Sequence, residues 1–137
     1  MAGKIAEESP PQPEEITDRE DLFYRWVPHD FTKRDGRRIR AGAFGTEADV
    51  EEGVSFDWNR YSTPERTLGR SQRPDIRAGV VMTSAGKIWD NELTVRHAPE
   101  LNNQAHSLVK GTSETRVRKT LASICSWALP LPPKAND

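Results

Sequence analysis

Hydrophobic and polar positions alternate in short runs along this chain, and the runs define the predicted elements. Leu22-Phe23-Tyr24-Arg25-Trp26-Val27 is rich in aromatic and β-branched residues and stops at Pro28, which predicts a strand. Period-two alternation puts Leu22, Tyr24 and Trp26 on one face and Phe23, Arg25 and Val27 on the other. Arg25 therefore sits between apolar neighbours and needs an anionic or carbonyl partner. Val54-Ser55-Phe56-Asp57-Trp58 alternates in the same way, with Val54, Phe56 and Trp58 inward and Ser55 and Asp57 on the opposite face. Gly79–Thr83, Thr94–His97 and Ala105–Val109 read as three further strands, the last closed by Gly111. Ala41–Gly45 predicts a brief strand or a close backbone approach. Ser84-Ala85-Gly86 reads as a turn leading into Lys87-Ile88-Trp89, hence a hairpin.

Two segments carry helix signals. Ser62-Thr63-Pro64-Glu65 offers a hydroxyl cap, proline in the first turn and glutamate three residues after Ser62, with Gly69 as the stop. Thr112 or Ser113 caps a second helix, in which Val117, Leu121, Ile124 and Cys125 form one apolar stripe. Short strands with one short central helix and one C-terminal amphipathic helix predict a single α+β domain built on a bent or barrel-like, mostly antiparallel sheet. The strands lie too close in sequence for repeated parallel crossovers. The domain is expected over residues 21–129. Residues 1–20, with Ser9-Pro10-Pro11-Gln12-Pro13 among glutamates, read as a disordered acidic tail, and residues 130–137, with three prolines, as a second tail.

Composition narrows the function classes. Leu, Ile, Val and Phe number 26 of 137 residues, close to the lower limit for a packed core of about 20%. Four Trp add large apolar area, and the formal net charge is only −1. No apolar run approaches the ~20 residues of a membrane helix, so no membrane partner is expected. The first fifteen residues lack the basic-then-apolar pattern of a signal peptide. The single Cys excludes an internal disulfide framework, and a reducing, cytoplasmic setting is the expectation. Charge is unevenly placed: residues 1–21 hold two basic and seven acidic side chains, the remainder eighteen basic and fourteen acidic. Fourteen of the twenty basic residues are Arg, the side chain suited to bidentate contact with carboxylate and phosphate.

Three groups of residues carry candidate chemistry. His97 and His106 flank a loop containing Asn102, Asn103 and Gln104, and a loop held between strands can aim several polar side chains at one point. Imidazole is the side chain suited to proton transfer near neutral pH, so both are candidate acid–base residues; the alternative is that His106 only holds the loop. Their spacing matches no zinc pattern, and no metal site is expected. Arg25, Ser55, Asp57 and Arg60 form a candidate anion-gripping group, with an Arg25–Asp57 ion pair as the simpler alternative. Arg34, Arg37, Arg38 and Arg40 lie in a basic run over residues 33–40, with a turn at Asp35-Gly36. With Arg60, Arg66, Arg70, Arg73 and Arg77 and the rings of Trp58 and Tyr61, this run could track a nucleic-acid backbone; a solvated surface is the alternative. No Walker loop, dinucleotide-binding glycine fingerprint or Gly-x-Ser-x-Gly elbow occurs. Cys125 lies on the apolar stripe, where a thiol stays protonated.

Leu22-Phe23-Tyr24-Arg25, Gly42-Ala43-Phe44, Val54–Asp57, Gly79-Val80-Val81 and Ala105-His106 with Val109 and Gly111 resemble a widespread set of small bacterial proteins over about residues 22–125. That resemblance implies no activity. An Arg on the first strand and a Ser on a later strand before a helix is similar to the layout of RES toxins and ADP-ribosyltransferase-like domains, which implies NAD gripped by Arg25 and Ser55. That class also has a catalytic glutamate late in the fold, where this chain has Asn102, Asn103 and Gln104, with Glu100 the only acid nearby. The resulting expectation is an accessory module of a multi-component bacterial system of defence or toxin type. It needs no cofactor, and it presents an Arg/His/Asn cleft to a phosphate-bearing or acidic partner. The alternative is a small enzyme acting on NAD, a nucleotide or RNA, with His106 or His97 moving the proton.

Overall fold

A computed structural model of the chain describes residues 11–33, 37–45, 53–71, 76–112 and 114–132. Within them, six strands form one sheet: β1 (Leu22–Pro28), β2 (Val54–Trp58), β3 (Ala78–Ser84), β4 (Thr94–His97), β5 (His106–Lys110) and β6 (Ser126–Leu129). Their order is β4-β5-β2-β1-β3-β6, and every pairing is antiparallel. Three short helices accompany them: α1 (Pro64–Gly69), α2 (Ala85–Asp90) and α3 (Thr115–Ser123). The α+β class and the antiparallel sheet expected from the alternation are present. Among the described residues, no helix is long and apolar enough to cross a membrane.

Register shows why alternation predicts the core. Phe23 pairs with Trp58, Phe56 with Ser107 and Val54 with Val109, so these residues share one face. That face packs against Phe44, Ala85, Ile88 and Leu121, all fully or almost fully buried. Burying each large apolar side chain stabilises the fold by about 1.5–3 kcal/mol before chain entropy is subtracted. The opposite face carries Tyr24, Asp57 and His106, and α1 lies over its β1–β3–β6 half. The chain crosses the sheet twice on the core side, from β3 to β4 through α2 and from β5 to β6 through α3.

Several local expectations are corrected. Ala85–Asp90 is a helix, not the second arm of a hairpin. The Ser84 hydroxyl accepts from Lys87 N–H at 3.2 Å, and the Ala85 and Gly86 amides donate to Asp21 and Arg19 carbonyls at 2.9 Å. Two of these three first-turn amides are thus satisfied by chain 64 or more residues away, a source invisible to local pattern. Ala41–Phe44 is a 3₁₀ turn, closed by Ala43 N–H to Arg40 O and Gly45 N–H to Gly42 O, that buries Phe44 against Phe56. The last helix ends at Ser123, and Ser126–Leu129 continues as an edge strand on β3. Thr83 Oγ1 donates to Ile124 O at the junction. Val117, Leu121, Ile124 and Cys125 still pack on the core.

Residues 11–20 are bound to the domain, not free as expected. Ile16 packs on the core, Glu14 N–H donates to His97 Nδ1 at 2.9 Å, and Arg60 and the Tyr61 hydroxyl both donate to the Glu14 carboxylate. At the other end, Arg77 donates to Pro132 O at 2.9 Å. The first ten residues, the Asp35-Gly36 turn, the acidic loop over 47–52, and Arg34, Arg73, Asp75 and Ser113 lie outside the described residues.

Candidate ligand-binding hollow where two strands part

Strands β1 and β2 pair only at Phe23–Trp58 and Tyr24–Asp57. Beyond that point β1 follows β3 and β2 follows β5, and the two separate. The Arg25 side chain occupies the gap. Its Nη1 donates to Ser55 O at 2.8 Å, while Nε and Nη2 donate to Ala43 O at 3.1 and 2.8 Å, with the guanidinium 5.7 Å from the centre of the Phe44 ring. Arg25 thus finds the carbonyl partner its apolar surroundings demand. The guanidinium supplies donors where the β-ladder ends.

The parting opens into a hollow of about 690 Å³. Arg25, Ser55, Asp57, Asn102, Asn103 and His106 all line it, joined by Tyr24, Trp26, Thr67, Arg70 and Glu100. The structure therefore brings together six of the eight side chains singled out for catalysis or binding. By register, Arg25 shares the parity of the core-facing Phe23 and Val27, whereas His106 shares that of Asp57. Both reach one hollow because the strands part between them.

Asp57 organises the wall. Its carboxylate is buried and accepts from Thr67 Oγ1 at 2.8 Å, Arg70 Nη1 at 2.8 Å and Asn103 Nδ2 at 2.9 Å. Arg70 Nη1 also reaches Ser62 Oγ, which is 3.0 Å from Thr67 Oγ1. A buried carboxylate with three donors is compensated and fixed in place. Asn103 Oδ1 accepts from Ala105 N–H, which locks the 100–105 loop onto the carboxylate. Thr67 is absent from the sequence-based site, and Arg70, expected on a basic surface, lines the hollow instead. Their three-residue spacing at the end of a capped helix, which puts them on one face, is the signal that points to them.

His106 is anchored by Nδ1, 2.8 Å from the Ala98 carbonyl and 3.8 Å from Glu100 Oε2. A carbonyl only accepts, so Nδ1 carries the proton and Nε2 is left to a ligand. Burial, followed by the Glu65 carboxylate, pushes the Tyr24 phenol up, so it lines the hollow as a neutral hydroxyl.

Two expected site residues lie elsewhere. His97 pairs with Ser107 and so faces the core side. Its Nδ1 accepts from Glu14 N–H, and its Nε2 donates to Gln104 O at 2.7 Å. The ring is buried between Trp58 and Tyr61, where it fastens the N-terminal segment to the 98–105 loop. Arg60 donates to Glu14 and lies over the Trp58 ring. Trp58 is itself 1% exposed, so its ring is not open to stack a base. Arg37, Arg38 and Arg40 line a separate groove of about 730 Å³ together with Lys33, Lys119 and Trp127. Burial pushes the Cys125 thiol up to about 12, so it is not a thiolate at neutral pH. Among the described residues, no three His, Cys, Asp or Glu side chains gather as metal ligands.

No family model, no curated protein and no solved structure matches this chain.

Proposed function

We propose that this chain is a binding module whose hollow takes a small phosphate-bearing ligand of nucleotide size. The observation that carries this reading is the division of labour among the lining groups. Arg25, Asp57 and Asn103 are locked by internal hydrogen bonds, whereas His106 Nε2 is left to a ligand. A fixed wall with few outward donors is a preorganised site, and its volume falls in the range of about 300–1,000 Å³ usual for ligand pockets. Arg70 lines the same hollow and supplies a cation for the phosphate, while Tyr24 and Trp26 offer ring surface to an aromatic base.

An enzyme acting on NAD, a nucleotide or RNA is the second reading, favoured by the anchored Nδ1–H of His106, which would hold Nε2 ready to take or give a proton. The binding reading is preferred because the second expected imidazole, His97, is spent on backbone partners across the sheet. The resemblance to ADP-ribosyltransferase-like domains gains no support, since Arg25 spends its contacts on the chain's own carbonyls.

Thermal melting with AMP, ATP, NAD and ribose 5-phosphate at two salt concentrations tests this reading. A ligand at 100 times its Kd adds about 2.7 kcal/mol, a rise of several degrees for a chain this size. His106→Asn keeps a donor near Ala98 O but deletes Nε2, and it should abolish the rise without lowering the ligand-free melting point. No rise with any of the four compounds would overturn the proposal. Conversion of the ligand, lost in His106→Asn, would favour the enzyme.

A further inference from the structure

The second groove has a different character from the hollow. Among the described residues its lining includes five cationic side chains, Lys33, Arg37, Arg38, Arg40 and Lys119, and no Asp or Glu. All five residues are solvent-exposed, while the Trp127 indole between them is half-buried. The hollow, in contrast, mixes Arg25 and Arg70 with Asp57 and Glu100.

Backbone pairing fixes the cations along one rim. Thr32 and Ile39 bridge antiparallel, Lys33 N–H donates to Arg38 O at 2.8 Å, and Arg40 N–H donates to Phe31 O at 2.8 Å. Trp127 Nε1 donates to Arg37 O at 2.6 Å, which pins this rim against β6 and sets the orientation of the indole. A Cβ at Gly79 would lie only 2.9 Å from its ring, so the glycine leaves the indole room against β3. Lys119 faces the rim from α3. The arrangement is a positive groove with an aromatic ring in it, held by backbone hydrogen bonds.

We propose that this groove is a docking site for single-stranded nucleic acid, with phosphates along the cations and a base against the Trp127 indole. Charge alone would also attract a duplex or an acidic peptide, but neither uses the ring. A duplex keeps its base faces stacked inward, and an acidic peptide has no base to stack. Single strands present both a phosphate chain and free π-faces, the pair of features this groove complements. The site is independent of the hollow and stands whether or not a small ligand binds there.

Fluorescence polarisation of the full chain with labelled single-stranded RNA and DNA of about a dozen nucleotides, and with a duplex of equal length, tests the proposal. Single strands should bind at low salt and quench tryptophan fluorescence. Their affinity should fall with salt at a log–log slope near −3, since each of about four phosphate contacts adds about −0.7. Charge reversal at Arg40→Glu with Lys119→Glu, both exposed, should weaken binding at least tenfold while leaving the melting point in place. Trp127→Phe should lose the quenching and retain most of the salt slope. Equal binding of the duplex, equal competition by polyglutamate, insensitivity to the charge reversals, or no binding at about 50 mM salt would each overturn it.

Discussion

The Arg25 guanidinium reaches the Ser55 carbonyl at 2.8 Å at the point where their two strands cease to pair. Side chain here replaces ladder: three donors from Arg25 serve two carbonyls, Ser55 and Ala43, on separate segments. Arg25→Met keeps the stem but leaves both carbonyls without these donors, and each such loss costs about 1–3 kcal/mol. A destabilisation of about 3 kcal/mol by urea unfolding is expected, with Arg25→Lys losing roughly half as much because an ammonium cannot serve both carbonyls in one plane. Loss below about 0.5 kcal/mol in Arg25→Met would contradict the bridging role.

Asp57 should be the most sensitive polar residue in the domain. Asp57→Ala removes the carboxylate partner of Thr67, Asn103 and the Arg70 guanidinium at once, leaving Thr67 and Arg70 only Ser62 Oγ. Removing one partner of a buried pair costs about 3–5 kcal/mol, but the Arg70 side chain is 33% exposed, so solvent rescues part of its charge. About 3 kcal/mol is expected for Asp57→Ala. In a double-mutant cycle with Arg70→Met, a coupling near 1 kcal/mol is expected. A coupling of zero would mean that the pair contributes only geometry.

Alternation makes β1, β2, β4 and β5 legible to within about a residue, because each has one face in the core and a slip would expose it. The capped helix α1 is legible for a local reason as well: Thr63 Oγ1 accepts from Arg66 N–H, as a hydroxyl before proline predicts. What escapes the sequence is long-range. The amides that start α2 bond to Arg19 and Asp21, and β6 exists because β3 offers an open edge. For the site, Arg25 is readable as a charge among apolar neighbours, Asp57 as a carboxylate on the polar face of its strand, and His106 as an imidazole beside an amide-rich loop. Their meeting depends on β1 and β2 parting, which no spacing rule contains. His97 is misread for the same reason: its buried role depends on Glu14, 83 residues earlier.

Gly79 carries β6. A Cβ there would lie 2.5 Å from Leu129 O and 2.9 Å from the Trp127 ring. Neither neighbour is a flexible side-chain end, so Gly79→Ala must push β6 away from β3. Overpacking of this kind costs about 1–3 kcal/mol. Hydrogen exchange should accelerate in residues 126–129 while β4 and β5 stay protected. Uniform acceleration across the sheet would show instead that β6 is not a separable edge.

The N-terminal strap should release at alkaline pH, and the two tyrosines report it. The hydrogen bond that the Tyr61 hydroxyl donates to Glu14 holds its phenol above the ordinary 10.0, with burial and the Glu14 charge acting in the same direction and Arg60 opposing. A phenol raised in the folded state favours its neutral form there. Its contribution to stability is therefore complete below pH 10 and is lost as pH climbs through the higher folded value. Loss of that proton removes the donor and sets a phenolate against the Glu14 carboxylate. Tyr24 is also raised, by burial first and Glu65 second, so both phenols of the chain should ionise late in a spectrophotometric titration. Glu14→Gln should bring one of the two back toward 10.0 and leave the other unchanged. It should also make the strap more accessible to protease near residue 14 at neutral pH. Ionisation of both tyrosines at the ordinary value in the folded protein would mean that Glu14 does not hold the strap.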